Sequence, residues 1–397
     1  MQKKIITQYY VLSCLFNAGG MSVICAIYVV FLIRNGLNLF QVNMVNASFF
    51  LTMFVCEIPT GAFADIFGRK KSFVIACAIM CASMFVYGLS HTFAGFITAE
   101  MMCAIAITFR TGAFKAWLVD SLKYHGYTGE LNGIFGRNNL IVQVSGGAGA
   151  IIGSYLYSVN PALPWFVGGT SMAVTTVTAL IVMKEDYFER KAFSWKKAYA
   201  SMKEVTVKSV RYGLDDKAVR FILLATGIQV FSFQALNMYW QPFFQGHGVN
   251  PKHLGFIFAG VMGMAATGAW IASRLKTDGK EKRMIFAAQI ISGIMAMAIP
   301  FVFAVPAMVL FYLLHEIPRG AIDPLMDSYL QKRIPSSERA TISSFCATAP
   351  EISGAIGLLA SGAIAQCFGI ATAWVLSGLA LVIGALWLGK NGNGKDG

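Results

Sequence analysis

Gly61-Ala62-Phe63-Ala64-Asp65-Ile66-Phe67-Gly68-Arg69-Lys70-Lys71 joins two long apolar stretches and decides how the chain is read. Gly61 lets a neighbouring backbone approach, Asp65 sets an acid near a helix end, and Gly68 permits a tight turn. Arg69, Lys70 and Lys71 form a basic run of the kind that anchors a turn at the cytoplasmic membrane surface. The flanks share this apolar character, because 56% of the 397 residues are hydrophobic, 13% are charged, and mean hydropathy is +0.61. Soluble domains carry about 25% charge. The composition excludes an ordinary cytosolic enzyme, a disordered chain and a secreted disulfide scaffold, and describes an integral membrane protein crossing the bilayer many times.

A hydrocarbon core about 30 Å thick needs about 20 helical residues. Apolar runs of that order lie at about 7–34, 39–66, 71–91, 93–120, 131–158, 163–183, 217–244, 252–273, 283–304, 306–331, 338–367 and 369–389. The long polar segment 184–216 separates them into an N-terminal bundle, 1–183, and a C-terminal bundle, 217–397. The expected fold is all-α, with twelve transmembrane helices in two six-helix bundles. Within the linker, Trp195, Tyr199, Met202, Val205 and Val210 recur among lysines at helical spacing, as in an amphipathic helix lying on a membrane; a solvated connector fits as well.

The net charge of +13 gains meaning from its placement. With the N-terminus inside, 27 of the 32 Lys and Arg fall on inner segments, whereas Arg34 and Lys252 alone fall on outer loops. This asymmetry puts both termini in the cytoplasm. It reports orientation in a lipid bilayer and gives no support to a nucleic-acid partner. The eight cysteines sit in apolar runs without metal spacing and read as small buried hydrophobes. Met1-Gln2-Lys3-Lys4 precedes the first run without a small-residue cleavage site, so the first span is expected to be retained.

The common enzyme signatures HExxH, G-x-S-x-G and the P-loop are absent from the sequence. No cofactor or metal is expected, and uphill transport would need an ion gradient or a partner protein. Gly146, Gly147, Gly149 and Gly153 have the spacing of a close helix crossing, with Pro350, Gly354, Gly357 and Gly362 as a second example. An internal repeat is also visible: Arg110-Thr-Gly-Ala runs to Asp120-Ser121, and Arg319-Gly-Ala runs to Asp327-Ser328 six spans later.

The opening segment resembles the signature loop of the major facilitator superfamily, Gly-x-x-x-Asp-x-x-Gly-Arg-Arg/Lys, at every defining position. The resemblance implies a secondary transporter whose inner gate joins Asp65 and Arg69 to Asp120, with Gly61 and Gly68 shaping the loop. The corresponding loop after Gly268 lacks the acid, leaving Asp327 and Arg339 as a possible second pair. Glu57-Ile-Pro-Thr-Gly61 and Arg339-Ala-Thr-Ile-Ser343 look like the drug:proton antiporter and macrolide-efflux branches. The Gly-Pro-x-x-Gly-Gly motif of many antiporters is missing, since 145–149 reads Ser-Gly-Gly-Ala-Gly.

Ionisable side chains within spans are costly and usually functional. The coupling candidates are Glu57, Glu100, Arg110, Glu316 and Asp323; Glu57 and Arg110 reach similar depth and are expected to interact. His315 reads as a hydrogen-bonding residue. Candidate substrate contacts are Asn17, Gln143, Gln229, Phe233, Gln234, Asn237, Tyr239 and Trp240, a lining suited to an amphipathic or weakly polar molecule. The expected function is proton-coupled efflux of such a molecule by a monomer in a bacterial cytoplasmic membrane. The rivals are a proton symporter or uniporter for a nutrient, metabolite or metal chelate, and a sensor that uses the same fold without transport.

Overall fold

The computed structural model describes residues 1–188, 215–275, 277, 279–334, 342, 345, 346 and 350–392, and among them every regular element is helical. Arg339 and the proposed linker helix, with Trp195 and Tyr199, lie outside the described residues. The chain forms two compact units. Unit 1 comprises Met1–Gly36, Ser48–Ala198 and Asn250–Ala259; unit 2 comprises Leu37–Ala47, Tyr199–Val249 and Gly260–Gly397.

The helices are α1 (Gln2–Cys14), α2 (Val23–Cys25), α3 (Tyr28–Arg34), α4 (Leu39–Phe67), α5 (Arg69–Leu89), α6 (Phe93–Thr111), α7 (Phe114–Tyr124), α8 (Leu131–Val159) and α9 (Leu163–Val182), then α10 (Lys217–Gly246), α11 (Leu254–Arg274), α12 (Glu281–Ala298), α13 (Val305–Gln331), α14 (Pro350–Phe368) and α15 (Ile370–Gly392). Ten helical segments among the described residues are long and apolar enough to cross a membrane, or eleven if Gln2–Cys25 and Tyr28–Arg34, bent by 49°, form one span. The 27-residue α13 is not among them. It is long enough at about 1.5 Å per residue, but it carries His315, Glu316, Arg319, Asp323 and Asp327, whose side chains lower its hydropathy.

Two expected spans are irregular. The first is α-helical only to Cys14, then winds as a π-helix over Leu15–Ser22 before the bend. The expected 93–120 span breaks at Gly112-Ala113 into α6 and α7.

Close crossings explain the glycine patterns. A Cβ on Gly149 would lie 2.4 Å from the Ala18 carbonyl oxygen, and one on Gly153 would lie 1.7 Å from that of Val23. The α8 glycines therefore admit the backbone of the π segment and α2. In unit 2 a Cβ on Gly357 would meet the Phe231 carbonyl oxygen at 2.5 Å, so α14 meets α10 in the same way. All eight cysteines are free; Cys77, Cys103 and Cys346 are buried, whereas Cys367 is exposed, so the buried reading fails for Cys367.

Candidate functional site

Gly68 caps α5 with φ +102°, a conformation glycine adopts without strain. A Cβ there would sit 2.5 Å from Glu185 Oε2, so the glycine also makes room for that carboxylate. Glu185 accepts hydrogen bonds from the backbone N–H groups of Arg69 (2.6 Å) and Lys70 (3.1 Å), an anion at a helix N-terminus. Burial pushes the Glu185 carboxyl above its ordinary pKa, against the opposing pull of those two N–H groups.

The Arg69 guanidinium joins three elements. Nη2 lies 3.0 Å from Asp65 Oδ1 and Nε lies 3.3 Å from Asp120 Oδ2, while Nη1 donates to the Gly112 carbonyl at 3.0 Å. A Cβ on Gly112 would stand 3.3 Å from Gly61 Cα, so Gly112 lets the α6–α7 break approach α4 within Arg69's reach. A Cβ on Gly61 itself would meet no atom of the described residues within 4 Å, against the expectation that Gly61 admits a neighbouring backbone. The structure thus unites Asp65, Arg69, Asp120, Gly61 and Gly68.

It does not unite Glu57 with Arg110. Thr111 donates its hydroxyl to Glu57 Oε1 at 3.2 Å, and the Arg110 guanidinium lies 4.5 Å from the centre of the Phe16 ring. No ion pair joins them among the described residues: Glu57 finds a hydroxyl one residue beyond Arg110, and the arginine turns to an aromatic face. Glu100, 5% exposed, accepts from the Tyr87 hydroxyl, whose ring stacks on Trp165 at 4.2 Å. Asn17 donates to the Ser13 carbonyl of its own helix, and Gln143 is half-buried on α8.

In unit 2, α10 and α13 bring together five of the sequence candidates. Arg319 donates through Nη1 to Glu316 Oε1 at 2.9 Å and through Nη2 to Asn237 Oδ1 at 2.6 Å. Its guanidinium stands 4.6 Å from the centre of the Phe233 ring. The other contact runs from Gln229 Nε2 to Asp323 Oδ1, 3.1 Å. Gln229, Phe233 and Asn237 recur every four residues on α10, as Arg319, Asp323 and Asp327 do on α13, so each set shares a face. Glu316 is 2% exposed, and a carboxylate that deep needs its arginine. His315 is fully buried, and its Nδ1 lies 2.8 Å from the Tyr312 carbonyl oxygen. Trp240 and Tyr239 serve other contacts: Trp240 stacks on Tyr312 at 6.2 Å, and the Tyr239 hydroxyl donates to the Leu39 carbonyl at 3.3 Å. Gln234 is buried.

A second ion-pair cluster lies at the start of α12. Glu281, 1% exposed, meets Lys332 Nζ at 2.7 Å through Oε1 and Arg333 Nη2 at 4.0 Å through Oε2. In unit 1 the first residue of α5 is the cation Arg69, paired with an acid of α7; in unit 2 the first residue of α12 is the acid, paired with cations just after α13.

The Major Facilitator Superfamily model matches residues 10–278 and 222–395, together nearly the whole chain. The chain belongs to the Major Facilitator Superfamily. A relative in that superfamily, the uncharacterized MFS-type transporter YxaM of Bacillus subtilis (strain 168), is 22% identical over 382 residues, covering 92% of this chain and 90% of its own. Among solved structures, the nucleoside transporter NupG superposes with TM-score 0.78 at 14% identity, covering 99% of both chains. The human organic anion transporter MFSD10 (TETRAN) superposes with TM-score 0.67 at 15% identity, over 98% of this chain and 99% of its own. These two likenesses concern the fold.

Glu185 and Glu281 were not among the sequence candidates of this superfamily member. Glu281 stands within Lys280-Glu-Lys-Arg283, where positive charge masks a single acid, whereas Glu185 sits between Lys184 and Asp186 at the start of the long polar segment. An acid beside a basic run at a helix start marks Glu281, whereas Glu185 lies in the loop after α9 and reaches the α5 N-terminus only through the tertiary fold.

Proposed function

We propose that the chain is a proton-coupled secondary transporter of a small molecule, with 1–183 and 217–397 rocking as the two halves of an alternating-access cycle and α13 serving as the twelfth crossing. Both termini face the cytoplasm of a bacterial inner membrane, and Asp65–Arg69–Asp120 is the inner gate of the first half. Glu281–Lys332 takes the corresponding place in the second half, where sequence alone suggested Asp327 and Arg339. Membership of the superfamily and the bias of basic residues support this reading.

The observation that carries the function is the α10–α13 cluster. Antiport needs one carboxylate that either a proton or the substrate occupies, and ionisable side chains within membrane spans mark such pathways. Of the coupling candidates, Glu57 is engaged by Thr111, Glu100 by Tyr87 and Glu316 by Arg319, and Arg110 carries no exchangeable proton near neutrality. Asp323 is exposed, with Gln229 as its hydrogen-bond partner and Asp327 and Arg319 one turn away on either side. Proton binding there neutralises the charge that holds a substrate, which couples influx of protons to export. Flux of a compound library in proteoliposomes under an imposed pH gradient tests this, with Asp65→Asn as the gate control. Exchange of one compound for protons supports the reading. Uptake down the proton gradient favours a symporter, and ligand binding without flux under any gradient favours a sensor.

A further inference from the structure

We propose that Asn43 and Gln366 latch the crossing of α4 with α14, and that releasing this latch also opens a separate crossing, of α8 with α11. The proposal rests on the alternating-access reading and assigns residues of this chain to the outer contact of that cycle.

The two compact units do not follow the two sequence halves. Leu37–Ala47, from the first half, belongs to unit 2, and Asn250–Ala259, from the second half, belongs to unit 1. Each stretch opens an inward-running span in the proposed orientation, α4 in one case and α11 in the other. These are the second and eighth crossings, six apart, and their partners α8 and α14 are the fifth and eleventh. The exchange therefore lies at outer helix ends and follows the internal repeat, as two matched contacts of one device would.

In unit 2 the crossing is held by side-chain amides. Asn43 is fully buried, and its Nδ2 donates to the Leu358 carbonyl oxygen at 2.7 Å and to Ser361 Oγ at 3.0 Å. Both N–H donors of that amide are thereby used. One turn earlier the Leu39 N–H, in the first turn of α4 and so without a partner inside its helix, donates to Gln366 Oε1 at 3.1 Å. Gly362 makes the approach possible, because a Cβ there would stand 3.0 Å from Asn43 Cβ. In unit 1 the helices are closer still. A Cβ on Gly255 would lie 2.5 Å from the Ala150 carbonyl oxygen, and Ser154 Oγ donates to the Lys252 carbonyl at 2.9 Å.

Parting α4 from α14 strips the Asn43 amide of both acceptors, and hydrocarbon offers none in exchange. Water does. The latch therefore releases where parting the helices admits water, which is the event that opens an outer path, and holds otherwise. Hydrogen bonds between membrane helices are individually weak, so the release is reversible. The helices α4 and α8 belong to the first sequence half, and α11 and α14 to the second. A rocking movement of one half against the other parts both crossings at once, although they are built from different residues.

The test is hydrogen exchange read by mass spectrometry on the purified full-length protein in lipid nanodiscs, which needs no substrate. Peptides covering 37–47 and 355–366 report the first crossing, and those covering 147–155 and 250–259 report the second. Asn43→Leu removes the amide and keeps the bulk. Gln366 is exposed, so Gln366→Ala is expected to fold and decides the matter alone if Asn43→Leu does not. Each variant should speed exchange at both crossings by about two-fold or more, as the loss of an interhelical hydrogen bond allows, with the larger effect at Asn43. A purely local packing role would speed exchange in the first pair of peptides and leave the second pair unmoved, and that result overturns the proposal. Exchange unchanged at both crossings overturns it as well. Joint opening without flux of any library compound under a pH gradient overturns the transport reading and leaves the latch; proton-driven flux with exchange unmoved by either variant does the reverse.

Discussion

The Arg319 guanidinium stands 4.6 Å from the centre of the Phe233 ring, placing a residue of α13 over one of α10. The first half holds a counterpart: Arg110, at the end of α6, stands 4.5 Å from the centre of the Phe16 ring in the first helical segment. These arginines begin the two repeated stretches in the sequence, so the repeat extends to a shared local geometry. The halves differ in that Arg319 also binds Glu316, whereas Arg110 Nε has no hydrogen-bond partner. Phe16→Leu and Phe233→Leu keep an apolar side chain and remove the π face. Each should lower stability by about 1–2 kcal/mol, with the larger loss at Phe16 because its arginine has no paired acid among the described residues. Thermal unfolding in detergent measures both; equal or negligible losses would show that the aromatic faces contribute only bulk.

The second ion-pair cluster predicts an asymmetry. Lys332→Ala leaves the buried Glu281 carboxylate with Arg333 at 4.0 Å as its charged partner among the described residues, whereas Glu281→Gln leaves Lys332, whose side chain is 49% exposed, to be solvated. An uncompensated buried charge costs more than a lost exposed one. Lys332→Ala should therefore lose about 1–3 kcal/mol and Glu281→Gln under about 1 kcal/mol. Unfolding midpoints compare them, and a larger loss for Glu281→Gln would contradict the burial argument.

Glycine substitutions separate packing from loop shape. A Cβ on Gly268 would lie 1.9 Å from the Ile317 carbonyl oxygen, and one on Gly320 would lie 2.2 Å from that of Ala265, so α11 and α13 cross through a reciprocal pair. Nothing lies within 4 Å of a Cβ on Gly61. Gly268→Ala and Gly320→Ala should sharply reduce the yield of folded protein on size-exclusion chromatography, and Gly61→Ala should leave it near wild type.

Glu185 predicts a pH dependence. Burial raises its pKa in the folded protein, so folding favours the protonated acid. The resulting stabilisation is complete below the ordinary carboxylate value and is lost as pH rises through the raised one. Because the group is only half-buried, the effect is small. The unfolding midpoint of wild type relative to Glu185→Gln should fall across that window; a relative midpoint that rises with pH would reverse the sign.

Much of this was legible in the sequence because the bilayer imposes length and hydropathy on every span, and because the Gly61–Lys71 loop carries its chemistry in consecutive residues. The same holds for Asp65, Arg69 and Asp120, which the structure joins at one guanidinium. Residues whose partners depend on side-chain direction were harder to read. Glu57 and Arg110 share a depth yet find Thr111 and Phe16 instead. Glu281 was hidden among cations, and the π-helix over Leu15–Ser22, which contains Asn17 and the Gly19-Gly20 pair, lies within an apolar run read as one ordinary span and packs against the α8 glycine Gly149.

The most direct test of the central claim is substrate movement in proteoliposomes under an imposed pH gradient, comparing wild type with Asp323→Asn. The account predicts that wild type drives its substrate against a concentration gradient, that a protonophore abolishes the drive, and that Asp323→Asn shows none. Transport by Asp323→Asn with an unchanged dependence on the pH gradient would contradict it.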